Sequence, residues 1–116
     1  MPYELRIDRG ALEDIASFAV WLTNTAGEAT ARRYLTRLDN DLTGVILRGP
    51  NRFAWFRETG PPYRAKLFRL ARTTYWIVYR VDDAKGIVGV LRFWNSAREP
   101  GTHGLANPPN EPSDLQ

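Results

Sequence analysis

The stretch RAKLFRLARTTYWIVYRV, residues 64–81, sets Arg64, Lys66, Arg69, Arg72 and Arg80 among Leu67, Phe68, Tyr75, Trp76 and Tyr79. A half-buried hairpin ordinarily carries Thr, Ser or Glu on its wet face, so this density of cations invites a chemical reading. Arginine next to aromatic rings suits bidentate contacts to phosphate and stacking on exposed bases. It equally suits a protein interface, where Trp, Tyr and Arg dominate the binding energy. Residue type alone leaves both open, beside the plainer reading of a solvated sheet face. The charge distribution sharpens the question. The chain carries +3 in all, but residues 1–50 hold −1, residues 51–100 hold +6 and residues 101–116 hold −2. Such asymmetry concentrates positive potential over one part of the fold and favours nucleic acid or an acidic protein as partner.

Other chemistries have little to work with. There is no cysteine, hence no disulfide framework and no thiolate metal site. The one histidine, His103, lies in a C-terminal stretch of poor periodicity, and the acids show no ligand spacing, so neither a metal nor another cofactor is expected. No apolar run approaches the ~18 residues of a membrane span, and the opening MPYELRID has no signal-peptide core, which points to the cytoplasm and away from a membrane. A length of 116 residues with 43% hydrophobic and 25% charged residues suits one soluble domain.

The elements that must position these residues follow from periodicity. Residues 3–8 alternate Tyr3/Leu5/Ile7 against Glu4/Arg6/Asp8, a strand pattern. Asp8 is placed to cap a helix whose apolar set Leu12, Ile15, Ala16, Ala19 and Leu22 follows i, i+3, i+4, i+7 spacing. Asn24 and Gly27 mark a break, and Thr25 with Glu28 reads as a capping box for a second helix over 27–47. Gly49-Pro50 ends it. So short a link implies an antiparallel helical hairpin. After a loop over 51–62 come three strand-like runs, 64–71, 74–82 and 86–95, joined by short links that make neighbours antiparallel. The fold class is therefore α+β: an N-terminal strand and an antiparallel helical hairpin packed on a twisted, mainly antiparallel sheet. From Pro100 the composition turns to Gly, Pro and Asn, which divides the chain into a domain over 1–99 and a flexible tail over 100–116.

Alternation assigns the faces. Tyr75, Ile77, Tyr79 and Val81 share one side, opposite Thr74, Trp76, Val78 and Arg80, while Leu67 and Arg69 oppose Phe68 and Leu70. Only one face meets the helices, so the other is expected to lie uncovered and to display aromatic and guanidinium groups. Leu12, Ile15, Leu22, Tyr34, Leu38, Leu42, Ile77 and Val90 are expected in the core. Tyr75 and Tyr79 read as half-buried sheet residues, and Arg33 and Arg37 as solvated helix positions. Of Trp21, Trp55, Trp76 and Trp94, one or two are expected at a partner surface.

The order of helix, capping box, helix and Gly-Pro stop, followed by KLFRLARTTYWIVYRVDDAKGIVGVLRFWNSAREP, resembles the ParE/RelE superfamily of type II toxin–antitoxin toxins over about residues 3–100. The likeness rests on ALEDI in the first helix, on Ala31, Arg33, Tyr34, Leu35, Arg37 and Leu38 in the second, and on the Y-x-I-x-Y-R-V and V-x-V-L-R strands. It implies the same helical hairpin on a twisted sheet, and one of two activities. Ribosome-dependent messenger RNA cleavage, the RelE activity, needs strand cations and a C-terminal cation and tyrosine. Here Arg69 matches one strand cation, but Leu67 and Trp76 occupy cation positions and no tyrosine follows Arg98. Lys66, Arg69, Tyr75 and Arg98 offer another set, but with the ribonuclease pattern mostly missing the enzyme reading is the weaker one. The ParE branch implies inhibition of DNA gyrase by binding, although its H-x-R-R ending reads Asn95-Ser96-Ala97-Arg98 here. On that reading Arg69, Arg98, Trp94 and Trp76 face the target. Arg33, Arg37, Arg64 and Arg80 face a cognate antitoxin in a toxin–antitoxin hetero-oligomer, with ribosome and messenger RNA as the alternative partners.

Overall fold

The computed structural model describes residues 2–70 and 73–96. Strand β1 (Glu4–Ile7) leads into helix α1 (Arg9–Ala26) and helix α2 (Glu28–Asn40), which continues through a π-helical turn, Asp41–Ile46, to a short 3₁₀ segment, Pro50–Arg52. Strands β2 (Tyr63–Arg69), β3 (Thr74–Asp82) and β4 (Ile87–Asn95) follow. The sheet order is β1-β4-β3-β2; β2, β3 and β4 are antiparallel, and β1 is parallel to β4. The α+β architecture expected from the sequence is the one observed.

The helical layer departs from expectation in three places. Leu12 is 54% exposed, because the buried stripe of α1 runs through Ala11, Phe18 and Leu22 with Ile15 packed beside them. Apolar residues cover more than half of this helix's circumference, so spacing alone admitted two phases. Phe18 decides between them, since its ring meets Phe68, Tyr75 and Phe93 at centroid distances of 5.0–6.3 Å. No Thr25–Glu28 capping box forms, because α1 runs on through Thr25 to Ala26. Gly27 alone makes the corner at φ 93°, a conformation that a Cβ would strain, and its N–H closes α1 on the Thr23 carbonyl at 3.0 Å. Asp8 stands at the N-cap without a side-chain hydrogen bond. In α2, Ala31 and Leu38 are buried, and the wider π turn keeps Leu42 and Ile46 on the same side.

In the sheet, the register slips between Val78 and Tyr79, so that Leu91 becomes an extra residue on β4. The bulge exchanges the faces of that strand. Val88 and Val90 point to the helices before it, and Phe93 does so after it, which sends Trp94 to the far side. That far side is not left open. Residues 54–60 fold back over it and bury Phe56 against Ala65, Val78 and Trp94, with Tyr63 and Trp76 packed alongside, while Phe53 packs on the helix side. The chain has two apolar layers, one under the helical hairpin and one under this loop.

Two measurements check the layer. Phe18→Ala should destabilise by about 3–5 kcal/mol in urea unfolding, against within about 0.5 kcal/mol for Leu12→Ala. Equal losses would overturn the helix phase. Tyr79, fully buried, donates its hydroxyl to the Pro50 carbonyl at 2.7 Å, and burial pushes its pKa from 10.0 up to about 12. The folded state thus holds this proton more tightly than the unfolded one. The corresponding stability is complete below pH 10 and is lost as pH rises from 10 to 12. Tyr79→Phe should show a shallower loss than the parent across that window.

Candidate interaction surface

The cations of the β2–β3 hairpin begin as a charge pattern, and the fold gives each a separate employment. Lys66 lies on the helix side of β2, where its Nζ donates to Asp41 Oδ2 at 2.9 Å and to the Leu67 carbonyl at 3.1 Å. Both side chains of this pair are about one-fifth exposed, and the π turn is what hangs Asp41 over Lys66. Arg64 Nη1 donates to the Phe53 carbonyl at 2.7 Å, while its guanidinium carbon sits 3.8 Å from the centre of the Trp55 ring. Arg69 and Arg80 are exposed, and among the described residues neither forms an ion pair.

From α2, Arg37 lays its guanidinium over Tyr34 and Phe68, at 5.0 and 4.5 Å, and donates to the Arg69 carbonyl. It is exposed but ties the helix to the sheet, which corrects its reading as a merely solvated position. Arg33 is exposed, with its guanidinium 5.7 Å from the Tyr34 ring centre. The outer edge of β2 is closed by the same groups. Residues 54–56 run along its first half, with Ala65 N–H on the Ala54 carbonyl and Phe56 N–H on the Tyr63 carbonyl. Farther along, Lys66 and Arg37 take the outward carbonyls of Leu67 and Arg69. Blunting a sheet edge in this way protects it from unspecific strand pairing.

The expected uncovered face of rings and guanidinium groups is therefore corrected. Trp94 is 1% exposed and Trp76 half-buried, because Phe56 of the covering loop lies 6.1 and 5.7 Å from their rings. The two exposed tryptophans are Trp21 and Trp55. Tyr75 stacks on Phe93 at 4.7 Å inside the helix-side core. Of the four residues placed toward a target, Arg69 is exposed, Trp76 and Trp94 belong to the loop-side core, and Arg98 lies outside the described residues. Arg72, His103 and the tail over 100–116 lie outside them too.

One pairing escaped the sequence. Strand β1 reaches only as far as Val90 along β4, and beyond it the Asp14 carboxylate of α1 takes the place of a neighbouring strand. Its Oδ2 accepts the Phe93 N–H at 2.9 Å and Arg92 Nε at 2.8 Å, and its Oδ1 accepts Arg92 Nη2 at 3.0 Å. The guanidinium also lies 4.8 Å from the Trp94 ring centre. An arginine inside the apolar run VLRFW signals that a buried carboxylate must exist, but nothing in the sequence locates it 78 positions away. Asp14, Ser17, Phe18, Trp21, Tyr75 and Asn95 line a cleft of about 470 Å³ beside this pair. At the opposite end of the sheet, Tyr3 Oη and Asn51 Nδ2 donate to Asp83 Oδ1 at 2.7 and 3.0 Å, which lowers the Asp83 pKa and raises that of Tyr3. Among the described residues no group of acids and histidines could hold a metal ion.

A helical hairpin on one face of a mixed four-stranded sheet is the fold of the RelE/ParE toxins. It is shared with the chromosomal ParDE system of P. aeruginosa (17% identity, TM-score 0.64, covering 80% of this chain and 95% of that one). The RelBE2 toxin–antitoxin complex of Mycobacterium tuberculosis is similar at 22% identity and TM-score 0.56, covering 84% and 95%. A mutant of the E. coli toxin RelE in the free state is similar at 21% and 0.56, covering 91% and 97%. No match is found among curated protein sequences. Residues 5–100 match the family described as the ParE toxin of the type II toxin–antitoxin system parDE, and the chain belongs to that family.

The Asp14–Arg92 pair is the part of this surface that mutation can weigh. The two side chains are 16% and 10% exposed, so removing one partner strands a largely desolvated charge. Asp14→Ala should destabilise by about 3 kcal/mol, whereas Asp14→Leu combined with Arg92→Met should lose clearly less than the two single changes added together. Strict additivity in urea unfolding would mean the two side chains act independently.

Proposed function

We propose that this toxin arrests growth by binding DNA gyrase rather than by cutting RNA, and that a cognate antitoxin silences it in a hetero-oligomeric complex. The observation that carries this reading is the separation of Arg69, on one face of the sheet, from Lys66 and Tyr75 on the other. Metal-free cleavage needs a base, a phosphate-holding cation and an acid within hydrogen-bond reach of one reacting group. Here Lys66 is engaged by Asp41 and Tyr75 by Phe93, both on the helix side of the sheet, while Arg69 stands exposed on the opposite face. Trp76, where the ribonuclease pattern has a cation, packs edge-on against Phe56. Membership of the ParE family favours gyrase over the ribosome.

An antitoxin partner is supported by the similar structures, which include the ParDE system and the RelBE2 toxin–antitoxin complex. Exposed Arg33, Arg69 and Arg80 have no ion-pair partner among the described residues and offer positive charge to an acidic segment that folds as it binds. A cytoplasmic site of action fits a chain in which no described helix is long and apolar enough to cross a membrane.

Expression without the antitoxin separates the readings. Gyrase inhibition should leave cleaved or relaxed DNA and filamentous cells while translation continues. Rapid loss of protein synthesis with cut messages would replace it with the ribonuclease reading, and unaffected growth would leave a binding module on a toxin fold. The combined Arg69→Ala and Arg98→Ala variant should restore colony formation while keeping its circular dichroism spectrum. Full toxicity from that folded variant would remove both arginines from the target surface.

A further inference from the structure

Trp55 is 45% exposed, yet its backbone is fixed. It bridges to Arg64 across the edge of β2, its neighbours Ala54 and Phe56 bond to Ala65 and Tyr63, and the Phe56 ring is buried beneath the sheet. An exposed indole on such an anchored segment is a rigid platform. One of its sides is already taken by Arg64, whose guanidinium is held in place by the Phe53 carbonyl. Next to it the arrangement repeats. Arg52 lies 5.1 Å from the Phe53 ring centre and donates Nη2 to the Val45 carbonyl at 3.1 Å. Two guanidinium–ring pairs thus stand side by side, joined through the Arg64–Phe53 bond.

The charge of this region is only partly offset, by Glu58 within it and by Asp83, which bonds to Asn51 and lies within electrostatic reach of Arg64. Both arginines donate hydrogen bonds to carbonyl oxygens, which orient them, and neither forms an ion pair among the described residues. Residues 48–64 contain Arg48, Arg52, Arg57 and Arg64 against Glu58 alone, a net +3 that equals the charge of the whole chain. The other large exposed apolar side chains, Leu12, Val20 and Trp21, are all on α1. Trp55 therefore lacks the exposed apolar surround that a protein hot spot uses to exclude water, and has the Arg64 guanidinium against its ring instead.

We propose that Trp55, backed by Arg64, is a stacking platform for an unpaired base of single-stranded nucleic acid, with Arg48, Arg52 and Arg57 serving the adjoining phosphates. A base offers its π-face to an indole whatever its identity, so the site is tolerant of sequence. The guanidinium on the other side attracts the ring's negative face and holds the plane steady. Phosphate neutralisation makes the affinity fall with salt, by a logarithmic slope of about 0.7 for each phosphate engaged. This site requires neither gyrase nor an antitoxin.

The test is fluorescence anisotropy of the full chain with a fluorescein-labelled, mixed-sequence single-stranded oligonucleotide, as DNA and as RNA, against a duplex of equal length. Single strands should bind more tightly than duplex and weaken with salt. Trp55→Ala should lose roughly tenfold in affinity, the contribution of one stacked base, and Trp55→Phe should keep most of it. On the unaltered chain, an oligonucleotide carrying 5-iodouracil should crosslink at Trp55, identified by mass spectrometry, which keeps the test decisive even if Trp55→Ala folds poorly. Absence of single-strand binding, an unchanged affinity in folded Trp55→Ala, or crosslinks only elsewhere would overturn the proposal. So would a Trp55→Ala variant that loses a purified protein partner while keeping the oligonucleotide, since the platform would then be a protein contact.

Discussion

A sheet with aromatic rings on both faces has to be covered twice, and this chain is built around that constraint. The helical hairpin covers one face through Phe18, which meets Phe68, Tyr75 and Phe93. The loop after α2 covers the other through Phe56, which meets Trp76 and Trp94. Neither cover is optional, because each buries large apolar rings whose transfer from water is worth about 1.5–3 kcal/mol apiece. Once both are in place, the described residues offer partners the sheet edges, the outer side of α1 with Leu12, Val20 and Trp21, the exposed Trp55, and the arginines outside any ion pair.

The same constraint explains why so many arginines are spent inside the molecule. A four-stranded sheet with a four-residue β1 leaves long edges, and cationic side chains close them. Lys66 and Arg37 take carbonyls along β2, while Arg64 joins β2 to the covering loop. Arg92, held by Asp14, ties α1 to the stretch of β4 that β1 does not reach. These contacts connect elements far apart in the chain. The exposed helical pairs Arg9–Glu13 and Arg32–Glu28 contribute only about 0.3–0.5 kcal/mol each. A count of cations therefore overstates the charge offered to a ligand. Arg33, Arg69 and Arg80 are exposed outside any ion pair among the described residues, and Arg64 and Arg52 donate to carbonyls rather than forming ion pairs, with Asp83 within electrostatic reach of Arg64.

Local pattern carried most of the architecture. Alternation in residues 3–8, the Gly-Pro stop and the β-branched and aromatic runs located β1, the end of the second helical segment and β2 to β4 with boundary shifts of a residue or two. These signals are readable because strand and helix periods act between residues close in sequence. The phase of α1 was not readable, since two apolar stripes competed and only contact with Phe93 and Phe68 chose Phe18. Nor was the capping box real, because packing carried α1 past Thr25 and left the corner to Gly27.

The sequence by itself determined the element order, the α+β class and the accumulation of cations and rings around the hairpin, all of which depend on composition and short-range period. Tertiary structure alone decided which of those groups face outward. The extra residue Leu91 exchanged the faces of β4, and the loop over 54–60 folded onto Trp76 and Trp94, so that Trp55 came to the surface in their place. A bulge and a returning loop are both settled by contacts between distant segments, and no period in a single strand records them.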